Sequence, residues 1–356
     1  MIEDPVLRYV AALDVGGTKV AACIADASRP LLRVTQSTIK SGDSDTIAQQ
    51  GIQLIDACCQ QLKIDPSQVQ SLGVSSCGPF EVRDGMTGVT PPNLCGGLPN
   101  GDDLPNDWTF LPLESVLRER FSQVRIANDC VAALHGERAF GAAPADSIYV
   151  TWSTGIGFGL CVDGHILNGK AGNAGHAGHM LLSDTSEALC GCGNRGDLEG
   201  MIGGRNFGKH LGKPLEDIFR DAQRGDAGAL AAVQEAARWF GRALYNLTAI
   251  LDTETIFVGG SVWRHNEALL APLVRQEIDA RFPALTRGVI VQGATLGELV
   301  TDMGAFALAI PEAWRIHWRS HRPWEALPTV HLAVLSLPRS AGHQRAAQIL
   351  WRTQGS

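Results

Sequence analysis

Three times along this chain an apolar run that reads as a strand stops at glycines. It happens at Gly16-Gly17 in "YVAALDVGGTKVAACIAD", at Gly155 and Gly157 in "SIYVTWSTGIGFGLCVDGHIL", and at Gly259-Gly260 after "TIFV". Glycine at a strand end permits a tight turn and lets backbone N–H groups approach an anion closely. A single turn of this kind has an ordinary structural explanation, and the first reads equally as a plain hairpin turn. Three of them, with the carboxylate of Asp14 beside the first, point to a nucleotide held between two lobes. None has the form G-x-x-x-x-G-K-[ST], and the first turn, D-V-G-G-T-K, lacks the G-x-G-x-x-G of dinucleotide binders.

Helical patterns separate these strands. In "TIAQQGIQLIDACCQQL", Ile47, Leu54, Ile55, Cys58 and Leu62 share one face. In the helix leading to "TIFV", Ala236, Phe240, Ala243, Leu244, Leu247 and Leu251 recur at helical spacing. "SLGVSSCGPF" and "VRIANDC" read as strands, and "VAALHGERAFGAA" as a helix. The segment from Gly85 to Pro105, rich in Gly, Pro and Asn, reads as loop. Strands alternating with helices make the fold class α/β.

Composition excludes several alternatives. The 356 residues suffice for about two domains. A net charge of -7 argues against nucleic acid as a partner, because phosphate binding needs a basic field. No uninterrupted apolar run reaches the ~18 residues of a membrane span, and "MIEDPVLRYV" lacks the apolar core of a signal peptide. Nine cysteines, an odd number with Cys23, Cys58, Cys59 and Cys161 in apolar runs, read as reduced thiols of a cytoplasmic protein. Only Cys190 and Cys192, in "LCGCGNRGDLEG", have metal-like spacing. A third thiol is expected a few residues later, and Asp197 stands there.

Taken together, "LDVGGTKVAACIAD", "IANDCVAALHGERAFGA", "TWSTGIGFGL", "NAGHAGHM" with "CGCGNRGDLEG", and "IFVGGSV" resemble the ROK family of repressors, open reading frames and sugar kinases. Order and spacing agree from about residue 9 to about residue 310, and the His-then-CxCG cluster is the most specific element. The family's repressors carry a helix-turn-helix domain ahead of the first strand. Here that strand is expected by about Tyr9, which leaves no room for one. The resemblance therefore implies a sugar kinase with the two-lobed actin-like ATPase (ribonuclease H-like) fold and an inter-lobe cleft. Residues 1–126 would form the N-terminal lobe and 127–300 the C-terminal lobe. A helix near 302–310 would return to the first lobe, and 311–356 would be an extension.

The resemblance also implies roles. Asp129 would be the base that accepts the proton of a sugar hydroxyl, with Asn128 its neighbour on the substrate; without the resemblance, Asp129 reads about as well as a helix N-cap. Asp14 would orient hydrated Mg²⁺, and Gly16, Gly17, Thr18 and Lys19 would face the phosphates of ATP. Thr154, Gly155 and Gly157 would form a second phosphate turn, and Gly259 and Gly260 would lie beside the adenosine. His179, Cys190, Cys192 and Asp197 match the four positions that hold structural Zn²⁺, although the family has cysteine at the last. Oxygen is a harder ligand than thiolate, so the competing reading is a relic in which Asp197 caps or pairs. The zinc would fix the loop that presents His179 and Glu199 to the sugar. Asn93 lies in a loop that approaches the sugar in the family and is also an ordinary turn residue. A homodimer is implied by the resemblance alone.

One departure bears on the substrate. The family reads Glu-x-Gly-His where this chain has His176-Ala177-Gly178-His179. An imidazole can donate as well as accept. If His176 points into the pocket, the substrate preference is expected to shift from plain glucose, with an amino sugar, another hexose epimer or a C7 cyclitol open; alternatively His176 only packs and another group covers the lost contact. A sugar sensor without turnover is the rival reading. Finally, "AWRIHWRSHRPW" mixes Arg, His and Trp, and reads as an amphipathic cover or subunit contact rather than a nucleic-acid site. "RAAQILWR" reads as a short helix.

Overall fold

The computed structural model describes residues 8–99 and 101–332; the "RAAQILWR" segment lies outside them. The chain runs β1 (Tyr9–Val15), β2 (Lys19–Ala25), β3 (Pro30–Ser37), α1 (Thr46–Leu62), β4 (Val69–Ser76), β5 (Phe80–Arg83), β6 (Met86–Val89), α2 (Leu113–Arg118), β7 (Gln123–Asn128) and α3 (Asp129–Ala139). It continues with β8 (Ser147–Trp152), β9 (Ile156–Val162), β10 (His165–Ile166), α4 (Leu198–Ile202), α5 (Gly204–Leu211), α6 (Leu215–Gln223), α7 (Ala227–Leu251), β11 (Thr255–Gly259), α8 (Ser261–Asp279), α9 (Pro283–Thr286) and β12 (Ile290–Gly293). The chain then adds α10 (Val300–Ala309), α11 (Glu312–His321) and β13 (Thr329–His331).

The two sheets share one layout. In the first the order is β13-β3-β2-β1-β4-β7, and in the second β10-β9-β8-β11-β12. Each starts from an antiparallel hairpin, β1–β2 or β8–β9, and extends by parallel strands on the other side, β4 and β7 or β11 and β12. Parallel neighbours need crossover helices, which is why the sequence alternates. β1 reads as a near-continuous apolar run, and β4, although it carries Gln70 and three serines, is buried at every position but Gln70, because helices cover the sheet.

Gly85 to Pro105 is not all loop. Met86–Val89 pairs antiparallel with Phe80–Arg83. The turn is Asp84-Gly85, both in the left-handed region at φ 51 and φ 75. That is the Asp-Gly hairpin signal, outweighed in the sequence by the glycines and prolines that follow it.

Each lobe has its own apolar core, and a third lies where they meet. There α10 packs on β1, β4 and α3. The crossing of α3 and α10 is close because it is glycine on glycine: a Cβ on Gly136 would come within 2.9 Å of the Gly304 nitrogen. The Arg-Trp run completes this third core. Trp314, Trp318 and Trp324 are buried. Trp318 meets Phe306 edge-on at 5.4 Å and Phe140 at 5.8 Å. Arg319 Nε donates to the Ala139 carbonyl at 2.8 Å, where α3 ends and its last carbonyls need donors. The run is thus a cover on the protein's own surface, and β13 extends the first sheet parallel to β3. Among the described residues no helix is long and apolar enough to cross a membrane.

Candidate functional site

Parallel strands place their C-terminal ends on one edge, where open α/β sheets bind ligands. Val15, Ser76 and Asn128 lie in one row across β1, β4 and β7. Asp14, Cys77 and Asp129 therefore gather at that edge. The second lobe repeats the construction. Thr151 and Gly259 share a row at the ends of β8 and β11, and the chain turns through Ser153–Gly155 into β9.

Asp129 is the first residue of α3, and the cap is its neighbour. Asn128 Oδ1 accepts from the Cys130 N–H at 3.0 Å, and Asp129 Oδ1 accepts from the same group at 2.8 Å. Asn128 thus serves as the N-cap that Asp129 could have been. Burial raises the Asp129 pKa, against the lowering effect of the Cys130 N–H and the nearby His176. The next residue, Cys130, lies against Gly157: a Cβ there would come within 2.7 Å of its sulfur. So the first turn of α3, which carries Asp129, packs where Gly157 lies.

Asp14 is held by a residue that the sequence reading did not single out. Thr301 Oγ1, on α10, donates to Asp14 Oδ2 at 3.0 Å. The next residue, Asp302, accepts from buried Arg33 Nε at 2.9 Å. Burial first, then the charge of Asp302 and in smaller part that of Asp129, push the Asp14 pKa up to about 7, against the Thr301 hydroxyl. A carboxylate at a strand end beside a glycine turn, with Asp302 and Asp129 close enough to raise its pKa, suits a cation that keeps most of its water, as Mg²⁺ does.

In the first turn, the Gly16 N–H bonds the Lys19 carbonyl at 3.0 Å, and Thr18 and Lys19 are exposed. Asn93 lies on this turn: its amide nitrogen occupies the space a Cβ on Gly17 would need. In the second turn the Ile156 N–H donates to Glu199 Oε2 at 2.8 Å, and that oxygen would lie 2.5 Å from a Cβ on Gly155. Glu199 thus ties the cysteine loop to the second turn. The Thr154 carbonyl accepts from the Arg205 N–H at 3.1 Å. Gly259 makes room for the Tyr149 hydroxyl, and Gly260, at φ 88, sits against the Trp152 backbone. Both have packing reasons independent of any nucleotide.

His179, Cys190, Cys192 and Asp197 converge, with one ligand atom from each all within 4.8 Å of one another. His179 Nδ1 lies 3.2 Å from Asp197 Oδ2, Cys192 Sγ 3.3 Å from the same oxygen, and Cys190 Sγ 3.7 Å from His179 Nδ1. Bonds of about 2.0–2.3 Å to a tetrahedral centre require such spacings. Asp197 divides its labour: Oδ1 accepts from the Gly200 N–H at 2.7 Å and caps α4, leaving Oδ2 for the cluster. Burial works to raise the Asp197 pKa, but His179, the Gly200 N–H and the thiols outweigh it and hold it low. The donor set fits Zn²⁺, and the capping and ligand readings of Asp197 are compatible.

His176 sits at the entrance to this loop. Its Nδ1 lies 3.0 Å from the Asn173 carbonyl oxygen. Its Nε2 and the Asn128 Nδ2 lie 3.1 and 3.4 Å from the point where a Cβ on Gly78 would stand. The fold thus brings His176 close to Asn128, at the end of β7, and to Asp129, at the start of α3.

The ROK family model matches residues 10–312. A glucokinase of Aeropyrum pernix is 30% identical over 332 residues, covering 85% of this chain and 97% of that protein. An N-acetylmannosamine kinase of Citrobacter koseri is 30% identical over 262 residues, covering 70% of this chain and 82% of that protein. A solved ROK family glucokinase from Streptomyces griseus, in complex with glucose and AMPPNP, superposes with a TM-score of 0.62 at 26% identity, covering 85% of this chain and 99% of that one.

Proposed function

The chain belongs to the ROK family and has its two-lobed actin-like fold, and from that premise we propose that it is an ATP-dependent kinase phosphorylating a primary hydroxyl of a hexose or hexose-like substrate. The observation that carries the reading is the meeting of Asp129 and Asp14 at one strand edge, across from the second lobe's glycine turn. A hydroxyl is a poor nucleophile, and a half-buried carboxylate with a raised pKa is a suitable acceptor for its proton. Asn128 and His176 orient the substrate beside that base. Glu199 and the zinc-ligand loop hold the second turn in place, and Asp14, kept in position by Thr301, orients the metal. Mg²⁺, when bound, supplies charge neutralisation at the phosphates. Closure of the lobes excludes water, so that phosphate goes to sugar rather than to solvent.

The cluster of His179, Cys190, Cys192 and Asp197 is proposed to hold one structural Zn²⁺, a reading supported by its spacing and donor types.

The test is ADP release against glucose, mannose, allose, fructose, glucosamine, kanosamine, N-acetylated hexosamines and C7 cyclitols. Turnover of at least one is expected. Silence across the panel, with a sugar still raising Tm, would support a sensor. Silence in both assays would exclude the substrate class.

A further inference from the structure

Lys40 lies just past the end of β3, and the main chain around it is pinned on both sides. Thr38 Oγ1 donates to the Gly16 carbonyl at 2.7 Å, and the Thr38 N–H donates to the Thr18 carbonyl at 3.0 Å. The Ile39 N–H donates to Gln50 Oε1 at 3.1 Å. The Lys40 carbonyl accepts from Asn106 Nδ2 at 2.9 Å. Asn106 is itself fully used: Nδ2 also donates to the Leu94 carbonyl at 3.1 Å, and Oδ1 accepts from the Gly96 and Trp108 N–H groups at 3.0 and 3.1 Å. The tip of the lysine is held as well. Its Nζ donates to the Asn93 carbonyl at 3.2 Å, and the Asn93 amide packs on Gly17. A half-buried lysine is thereby delivered beside the Gly16–Thr18 turn. Among the described residues it forms no ion pair. A carbonyl answers one of the three N–H groups of an ammonium but not its charge, and withdrawing a charge from water is costly unless an opposite charge meets it.

Resting on the sugar-kinase reading above, we propose that Lys40 is a catalytic residue that binds the γ-phosphate of ATP beside the first glycine turn. The turn alone is short of donors, since the Gly16 N–H is committed to the Lys19 carbonyl. Lys19 is exposed, so fixing it on a phosphate costs side-chain entropy that Lys40 has already given up in its contact with Asn93. The same strand edge gathers the carboxylates Asp14 and Asp129, which repel a phosphate chain. A fixed cation beside the turn offsets that repulsion. During transfer the negative charge spreads over the phosphoryl oxygens, and a lysine meets it as a point charge. Lys40 keeps its protons throughout: one N–H stays on Asn93, and two are left for phosphate oxygens.

The test reads binding before turnover: calorimetric titration of the full-length protein with ADP and with AMPPNP, each with Mg²⁺. Only AMPPNP carries a γ-phosphate. Lys40→Met should weaken AMPPNP by about tenfold to a hundredfold, the range of a hydrogen bond to a charged group, and ADP by no more than about threefold. Lys40→Gln keeps a donor for the Asn93 carbonyl but no charge, and should behave as Lys40→Met does. Lys40→Arg keeps the charge and should stay within about threefold of wild type. Equal losses for ADP and AMPPNP, or full AMPPNP affinity in Lys40→Met, would overturn the proposal. So would wild-type affinity in Lys40→Gln, which would reduce Lys40 to a tie on the Asn93 loop. With a substrate in hand, Lys40→Met should lower kcat at least about tenfold, with KM for the sugar within about threefold; a rise in that KM alone would count against the assignment. A wild type that binds neither nucleotide would sink the kinase reading and this proposal with it. Any of the other adverse results, obtained on a wild type that binds both, strikes Lys40 alone.

Discussion

Asp129→Asn removes a negative charge while keeping the atoms that hold the side chain. The Oδ1 that accepts from the Cys130 N–H at 2.8 Å remains, and Asn128 still caps α3 through its own oxygen at 3.0 Å. The frame should therefore survive. What disappears is the capacity to take a proton, since an amide is not a base at any working pH. General-base catalysis contributes about 10²–10⁴-fold, so kcat for ADP release should fall by about that factor. That corresponds to roughly 2.7–5.4 kcal/mol at 1.36 kcal/mol per tenfold. With Oδ1 kept on the Cys130 N–H, the amide turns its Nδ2 toward the sugar, where the hydroxyl can accept from it, so KM for the sugar should change by no more than about tenfold, the size of one neutral hydrogen bond. The stability readout has a definite sign. Burial holds the Asp129 carboxyl above its ordinary value, so the folded state takes its proton more readily than the unfolded state. Its charge therefore detracts from stability above the raised pKa, and that cost disappears as pH falls through it. At neutral pH, Asp129→Asn should leave Tm unchanged or higher. In the wild type, the acid limb of kcat/KM should lie above the ~3.9 of an ordinary aspartate, since the base form is lost as pH falls through the raised value. A variant that keeps kcat within tenfold while remaining folded would show that Asp129 is not the base.

Three further outcomes are expected. Elemental analysis of the purified protein should give near one zinc per chain, Asp197→Ala should lose it, and Asp197→Cys should hold it more tightly against a chelator, since thiolate is the softer ligand; a metal-free, fully active wild type would refute the site. Trp318→Ala should destabilise the protein by about 3–5 kcal/mol in urea unfolding, because the indole is buried between Phe140 and Phe306 and donates to the Ala27 carbonyl at 3.1 Å; an unchanged midpoint would mean the extension is dispensable. Arg205 and Asp102 form an ion pair at 2.8 Å across the lobes, but the arginine side chain is 57% exposed, so Asp102→Asn should cost at most about 1 kcal/mol, under roughly fivefold in KM, and the difference should shrink with salt.

Much of the fold is legible because its cues are local. The apolar face of Thr46–Leu62, the glycine turns at Gly16 and Gly155, and the strand from Thr255 each depend on residues within a few positions of one another. The metal cluster is legible in part for the same reason: Cys190, Cys192 and Asp197 lie within eight positions, and only His179 comes from further away. The β5–β6 hairpin carried a signal in Asp84-Gly85, hidden by a glycine- and proline-rich setting. β13 carried hardly any, since a three-residue strand exists only because β3 offers an edge.

The amino-acid sequence by itself determined the class of fold, the three turns, the carboxylates Asp14 and Asp129, and the donor types of the metal cluster. Only tertiary structure decided what those groups face. Thr301 reaches Asp14 across 287 positions, Asn173 reaches Phe80 across 93, and Glu199 reaches the Ile156 N–H across 43. It also decided that Asn128, rather than Asp129, serves as the cap, and that the tryptophans of α11 turn inward onto Phe140 and Phe306. The reason is that a backbone hydrogen bond or an apolar period is set by near neighbours, whereas the partner of a polar side chain at a strand end is whichever distant element the packing of two sheets and α10 brings within about 3 Å.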